Sequence, residues 1–383
     1  MRSAEFDGNR DLIMRSDDNR HSGSNRDPNV VRRGFSLVEL LTVIFIISLL
    51  IAILIPSLHS ARNAAKKTTT SKTLEAIKVG LEMFKNDNGS DFAQTNGYPP
   101  SFEYPPIPGY TFNAKLGEFP FLPGNPKVNG AHWLAAMLMG VDQLGYVKRS
   151  SVPAGTLRAE PFHWYQVEAN QSSGPVSDRS PMYLDPGGTR TLKTRNLPGR
   201  SNPTLFPGLN DPDNTSVIEM ADLPVIVDAF DQPILYYVAS THGKETNMVA
   251  DVREASNTYT GGPQQEGTPY YFHEDNKGFT GTEAEAGWEF GNSGELHPLA
   301  VSGAAISTAD EMLATDEGHG LRGGIPFARY ILDRKLYSSL KPGDSNPKFR
   351  PVNADSYLLI SASVDGRFGT ADDVSNLPPF TER

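Results

Sequence analysis

Two short stretches carry residues whose types and spacing could do chemistry. The first is Arg32-Arg33-Gly34-Phe35-Ser36-Leu37-Val38-Glu39, in which one carboxylate enters a run of 21 residues, Phe35–Ile55, that holds no other charge. A carboxylate inside an apolar span costs several kcal/mol unless it is neutralised or paired. Glu39 is therefore a functional residue by default, and its natural partner is a cation sharing the same low-dielectric surroundings. The second stretch lies near the C-terminus, where Asp365, Asp372 and Asp373 fall within nine residues on a loop turned by Gly366 and Gly369. Hard oxygen donors at that density suit an oxygen-seeking cation such as calcium. An Asp/Gly-rich turn with no metal has the same composition. An EF-hand is excluded, because its Asp-x-Asp-x-Asp-Gly opening and twelfth-position Glu are absent.

The elements that must position these residues follow from hydropathy. Residues 1–34 are polar, with no apolar run, and are expected to be disordered. Residues 35–55 are long and apolar enough to span a bilayer as a helix, and Arg32 and Arg33 would hold its N-terminal end in the cytoplasm, with the rest of the chain outside. Beyond Pro56, the residues Ala61, Ala64, Ala65, Leu74, Ile77, Leu81 and Phe84 recur by threes and fours, so the helix is expected to continue as an amphipathic one. Arg62, Lys66, Lys67, Lys72, Lys78 and Lys85 fall mainly elsewhere around it and read as a solvated face able to meet acidic neighbours in an assembly. Asn86-Asp87-Asn88-Gly89 stops the pattern. The predicted organisation is a segment 1–34, a helix over 35–87 and a head over 88–383. Two polar stretches of the head, about 150–220 and 240–325, are too long for ordinary loops and read as elaborations on a smaller core. Residues 132–139 read as a short apolar helix, 223–237 as strand, tight turn and strand, and 357–362 as a last strand.

The residues around Glu39 resemble the prepilin processing motif of type IV pilins and type II secretion pseudopilins. That resemblance implies cleavage after Gly34 by a membrane-embedded prepilin peptidase and methylation of the new amino group of Phe35. It also implies that Glu39, fifth in the mature chain, pairs with the N-terminal amine of a neighbouring subunit. Pro56 falls where pilins carry a helix-distorting proline. Gly97-Tyr98-Pro99-Pro100 and Gly145-Tyr146-Val147-Lys148 resemble elements of pseudopilin heads. Asp228 to Tyr237 resembles the Asp-Pro-Trp-Gly-Asn-Pro-Tyr-x-Tyr stretch of major pseudopilins, keeping Asp228, Pro233 and Tyr236 and departing at residues 229–232. The C-terminal loop resembles the calcium loop of the same proteins, which would make Asp365 and Asp372 side-chain ligands, with Ala362, Thr370 and Asp373 supplying further oxygens. The implied fold is α+β and pilin-like: one long N-terminal helix, its first half crossing the membrane, packed on a small antiparallel sheet with long loop insertions.

Composition narrows the alternatives. The 383 residues include 35 basic and 45 acidic ones, a net charge of −10 that argues against a nucleic-acid partner. No cysteine is present, which removes disulfides, thiolate nucleophiles and Cys-ligated metals. No P-loop, GxGxxG, HExxH or GxSxG motif occurs, and the eight histidines show no ligand spacing. The expected role is thus not enzymatic but that of a subunit polymerising with itself and other pseudopilins into a periplasmic type II secretion filament. Its other partners would be the prepilin peptidase, the inner-membrane secretion platform and membrane lipid. The expected location is the inner membrane, single-pass, with the N-terminus cytoplasmic and the head periplasmic. Two alternatives stand beside it: a type IV or minor pilin on a surface filament, and a membrane-anchored binding protein or hydrolase exported by the same route. A twin-arginine signal fits Arg32-Arg33-Gly34-Phe35 only in part, and a plain signal anchor leaves Gly34, Glu39 and Pro56 as coincidences.

Overall fold

A computed structural model describes residues 35–101, 128–146, 179–199, 220–241, 243, 270–282, 285–286, 297–300, 310, 325–344 and 349–378. The chain forms two compact units, residues 1–58 and 59–383. Helix α1 (Leu37–Asn88) runs through the described residues of the first unit and opens the second.

In the first unit every residue from Phe35 to Leu58 is exposed, including Leu40, Phe45, Leu50 and Leu54. Its few polar side chains are satisfied within the helix: the hydroxyls of Thr42 and Ser48 donate to the carbonyls of Val38 (3.0 Å) and Ile44 (2.7 Å). Such back-bonding is how a hydroxyl meets its hydrogen-bonding need where no water is at hand. Pro56 lies inside the helix and removes one N–H from its ladder.

In the second unit α1 becomes one-sided. Thr70, Leu74, Ile77, Gly80, Leu81, Phe84 and Asn88 are its buried residues, the three-and-four spacing of a single stripe. Phe84 meets Phe92, Tyr146 and Tyr183 edge-on at centroid distances of 5.1, 6.4 and 5.4 Å. Gly80 permits close approach, since a Cβ there would lie 2.8 Å from the Tyr183 carbonyl oxygen. After α1 a 3-10 turn (Gly89–Thr95) ends at Asn96 in the left-handed region. Helix α2 (Gly130–Met139) is buried along its whole length, starts on an Asn129–His132 capping box and stops at Gly140 (φ +83°).

The main sheet has the order β3 (Ile234–Val238), β6 (Tyr357–Ser361), β7 (Val374–Ser375), all antiparallel. β3 and β6 are buried at every position, and their alternation divides two cores. Ile234, Tyr236, Val238, Tyr357 and Leu359 join α1 and α2 in an inner layer. Leu235, Tyr237, Leu358 and Ile360 face an outer layer built from Tyr271, α3 (Lys277–Thr280), Leu299, α4 (Phe327–Ile331) and α5 (Arg334–Ser339). The free edge of β3 is closed by side chains: Asn276 donates to the Tyr236 carbonyl (2.8 Å), and Ser101 accepts the Val238 N–H (2.9 Å). Two small pairs, β1 (Thr191–Lys193) with β2 (Pro224–Ile226) and β4 (Gly281–Thr282) with β5 (Glu285–Ala286), complete the strands among the described residues.

The α+β architecture with a long N-terminal apolar helix and small antiparallel sheets agrees with the pilin-like expectation. The strand, turn and strand expected over 223–237 are present as β2 and β3, which touch through one bridge, Val227 to Pro233, then part into different sheets. Pro233 has no N–H to extend the ladder, and the Asp228 carboxylate instead collects the N–H groups of Phe230 (2.7 Å) and Gln232 (2.9 Å). Residues of the two long polar stretches also join the cores. Tyr183 and Leu184 pack in the inner layer and Tyr271 and Phe279 in the outer one. Low local hydropathy concealed them, because few large side chains per stretch do this packing.

Candidate functional site

Gly34 lies outside the described residues. Phe35 and Ser36 are non-helical, and Phe35 is 75% exposed. Glu39 stands in the first turn of α1, where its Oε2 accepts the Ser36 N–H at 2.9 Å while the Ser36 hydroxyl accepts the Val38 N–H at 3.3 Å. Glu39 thus makes its half of a Ser-x-x-Glu capping box, while the Ser36 hydroxyl caps the Val38 N–H, and the negative group lies at the positive end of the helix dipole. The carboxylate is therefore fixed one residue from Phe35, the position an amine would occupy after cleavage at Gly34. From there to Leu58 the helix presents apolar side chains on all sides, so it needs a lipid or protein environment to cover it.

The C-terminal loop follows β6 and is drawn inward by its own carboxylates. Asp372 Oδ2 accepts the N–H groups of Val364 (3.0 Å) and Asp365 (3.4 Å), and its Oδ1 accepts the Thr370 hydroxyl (2.7 Å). Asp365 Oδ1 accepts the Arg367 N–H, and Asp373 Oδ2 the Gly369 N–H, both at 2.8 Å. Burial raises the Asp365 carboxyl above its ordinary range, and the charge of Asp372 adds to it. Burial raises Asp373 still further, against the opposing effect of its hydrogen bonds from Gly369 and Tyr330. Ala362 is fully buried at the end of β6. Asp365, Thr370 and Asp372 thus converge; Asp373 reaches the same Thr370 hydroxyl through Oδ1 at 3.4 Å while its Oδ2 holds Gly369. Among the described residues no three acidic or histidine side chains gather in a metal-holding group. Asp365 and Asp372 have the donor chemistry for calcium, and the buried Ser363 hydroxyl beside them has no partner.

The sequence did not indicate Lys67. Its ammonium donates to the Asp372 carbonyl at 3.1 Å and stands 3.9 Å from Asp372 Oδ2, joining α1 to the loop. Lys66 lies over the Phe230 ring at 4.8 Å, and Thr70 accepts the Ala229 N–H at 3.3 Å. Two residues read as a solvated face thus hold the two loops that end the sheet. Only the pairing of a basic helix face with an acidic loop some 300 residues later could have signalled this. Asp228 was seen in the sequence, and its role is the turn: buried, it also accepts the Ser361 hydroxyl at 2.5 Å, and burial raises its carboxyl.

Comparison with known proteins bears on the N-terminal stretch and on the family. Residues 31–55 match the model of the prokaryotic N-terminal methylation motif. The chain is 31% identical over 99 residues to the type II secretion system core protein G of Escherichia coli, covering 26% of this chain and 68% of that protein. It is 45% identical over 58 residues to the type IV wide pilus major component of Thermus thermophilus, covering 15% of this chain and 44% of the relative. It is 34% identical over 92 residues to the type IV major pilin of Myxococcus xanthus, covering 24% and 41% respectively. The chain thus spans less than half the length of these two pilins. No solved structure matches.

Proposed function

This chain belongs to the type IV pilin and pseudopilin family, and we propose that it is a pseudopilin that polymerises into a periplasmic filament of a type II secretion system. The family is structural rather than enzymatic. The observation that carries the reading is the first half of α1: it is apolar on all sides, exposed throughout, and opened by one carboxylate held at its N-terminus. In the proposed mechanism, cleavage after Gly34 frees the Phe35 amine and the anchor stays in the inner membrane with the head in the periplasm. On assembly the helices leave lipid for one another. Glu39, already poised beside Phe35, exchanges its bond to Ser36 for the amine of a neighbouring subunit, fixing register more than adding stability. The secretion platform would supply the driving force, and the prepilin peptidase the cut.

Asp365 and Asp372 would hold calcium within the C-terminal loop, with Thr370, Ala362 and Asp373 as the further oxygen sources proposed from the sequence. The metal would supply positive charge to a loop in which burial and mutual repulsion raise the carboxyls. A second reading, a type IV pilin of a surface filament, is favoured by the similarity to the Thermus and Myxococcus proteins. Fractionation with the relevant secretion genes deleted separates the two. Retention in a periplasmic complex that depends on those genes supports the pseudopilin. Long surface fibres independent of them would replace it with the pilin. Gly34→Leu should leave residues 1–34 attached, and normal processing of that variant would remove the peptidase step.

A further inference from the structure

Residues 367–369 are gripped from two sides. On one side their backbone N–H groups go to the loop carboxylates, Arg367 to Asp365 and Gly369 to Asp373. On the other they belong to the outer layer. Phe368 is fully buried there, donates its N–H to His297 Nδ1 at 3.1 Å and accepts the Leu299 N–H at 3.3 Å. The Gly369 carbonyl accepts the Ile325 N–H at 3.0 Å. Gly369 itself has φ +98°, and a Cβ there would lie 2.8 Å from Pro298 Cβ and 3.1 Å from the Ile325 carbonyl oxygen. Tyr330 of α4 hydrogen-bonds to Asp373, the same carboxylate that holds Gly369.

We propose that the C-terminal Asp loop is the latch of the outer layer. Asp365 and Asp373 fix residues 367–369 in the one backbone shape that can receive His297, Leu299 and Ile325. The layer covering Leu235, Tyr237, Leu358 and Ile360 then docks and releases together with the loop. The physical basis is shared groups: the N–H donors of residues 367–369 are committed to the loop's carboxylates or to His297, while the Phe368 and Gly369 carbonyls are committed to the outer layer. Neither set can be kept while the other rearranges, which makes loop and layer one cooperative opening unit. The latch stands whether or not a cation binds the loop.

Hydrogen–deuterium exchange on the full chain in detergent tests this. Asp373→Ala should speed exchange at least tenfold in peptides covering 297–300, 325–340 and 361–373 alike, while residues 74–88 of α1 keep their protection. Coupling is reciprocal, so His297→Ala should loosen 361–373 to a similar degree. Tyr330→Phe, which deletes one hydroxyl, should give a weaker version of the same pattern if Asp373→Ala does not fold. Faster exchange confined to 361–373 in the Asp373 variant, or an unchanged loop in the His297 variant, would overturn the latch. So would equal acceleration throughout α1, which marks ordinary loss of stability.

Discussion

The two halves of α1 are one continuous helix made of different materials. From Leu37 to Leu58 apolar side chains point in every direction and no residue is buried. From His59 to Asn88 the large apolar residues Leu74, Ile77, Leu81 and Phe84 form one stripe covered by the head's own core, while Val79 and Met83 stay exposed. The second half has its partner within the chain; the first has none among the described residues. A fully apolar, fully exposed helix is stable only when something outside the chain covers it, so self-sufficiency in one half and dependence in the other separate folding from assembly.

The largest effect should come from breaking the self-sufficient half. Phe84→Ala removes a fully buried ring that contacts three aromatic neighbours and should cost the head about 3–5 kcal/mol, as large-to-small core changes do. Phe45→Ala, at a 66% exposed ring in the first half, should leave head stability within about 0.5 kcal/mol. Denaturant melts of the two variants in detergent check this, and equal losses would erase the distinction. Gly80→Ala tests the stripe's closest approach. A methyl 2.8 Å from a backbone oxygen should destabilise by about 1–3 kcal/mol by overpacking, where the same change on a free helix surface would help.

The pH response should also belong to the head. Burial pushes His132 from 6.5 down to about 3, so the native head binds fewer protons than the unfolded chain between those values. Its stability should therefore fall as pH drops from 6.5 toward 3. Asp228, Asp365 and Asp373 act with the opposite sign. Their carboxyls are raised by burial, so each contributes a loss of stability as pH climbs from the ordinary carboxylate value through its own raised value. His132→Gln should flatten the acid limb of a melting-temperature profile, and an unchanged slope would assign that limb elsewhere. The smallest effect is expected for Lys67→Ala. This partly exposed pair, 3.9 Å from carboxylate to ammonium, should be worth under about 1 kcal/mol, although exchange protection of the Asp372 loop should drop.

The two halves were also unequally legible. The first half could be read from sequence because its signals are local: a largely apolar run of 21 residues, the one carboxylate inside it and a glycine–phenylalanine step all lie within one short window. The stripe Leu74, Ile77, Leu81 and Phe84 was legible for the same reason, since helical periodicity is a property of neighbours. The outer layer was not. Tyr271, Phe279 and Leu299 lie within a long polar stretch that shows no helix or strand periodicity, and what buries them is contact across the chain with β3 and β6. The Lys67–Asp372 contact spans 305 positions and leaves no local trace. The two strands after Leu223 were legible as strands, but alternation does not say which partners they take.

Glu39 carries the central claim, that the first half of α1 is an assembly element and the second a folding element. Glu39→Ala should be assayed for membrane insertion, for head melting temperature and for the sedimentable filament fraction in one strain background. The expected result is normal insertion, a head melting temperature within about 1 °C of wild type given the small effect of distant surface changes, and filaments reduced at least tenfold. Filaments at wild-type yield would contradict it.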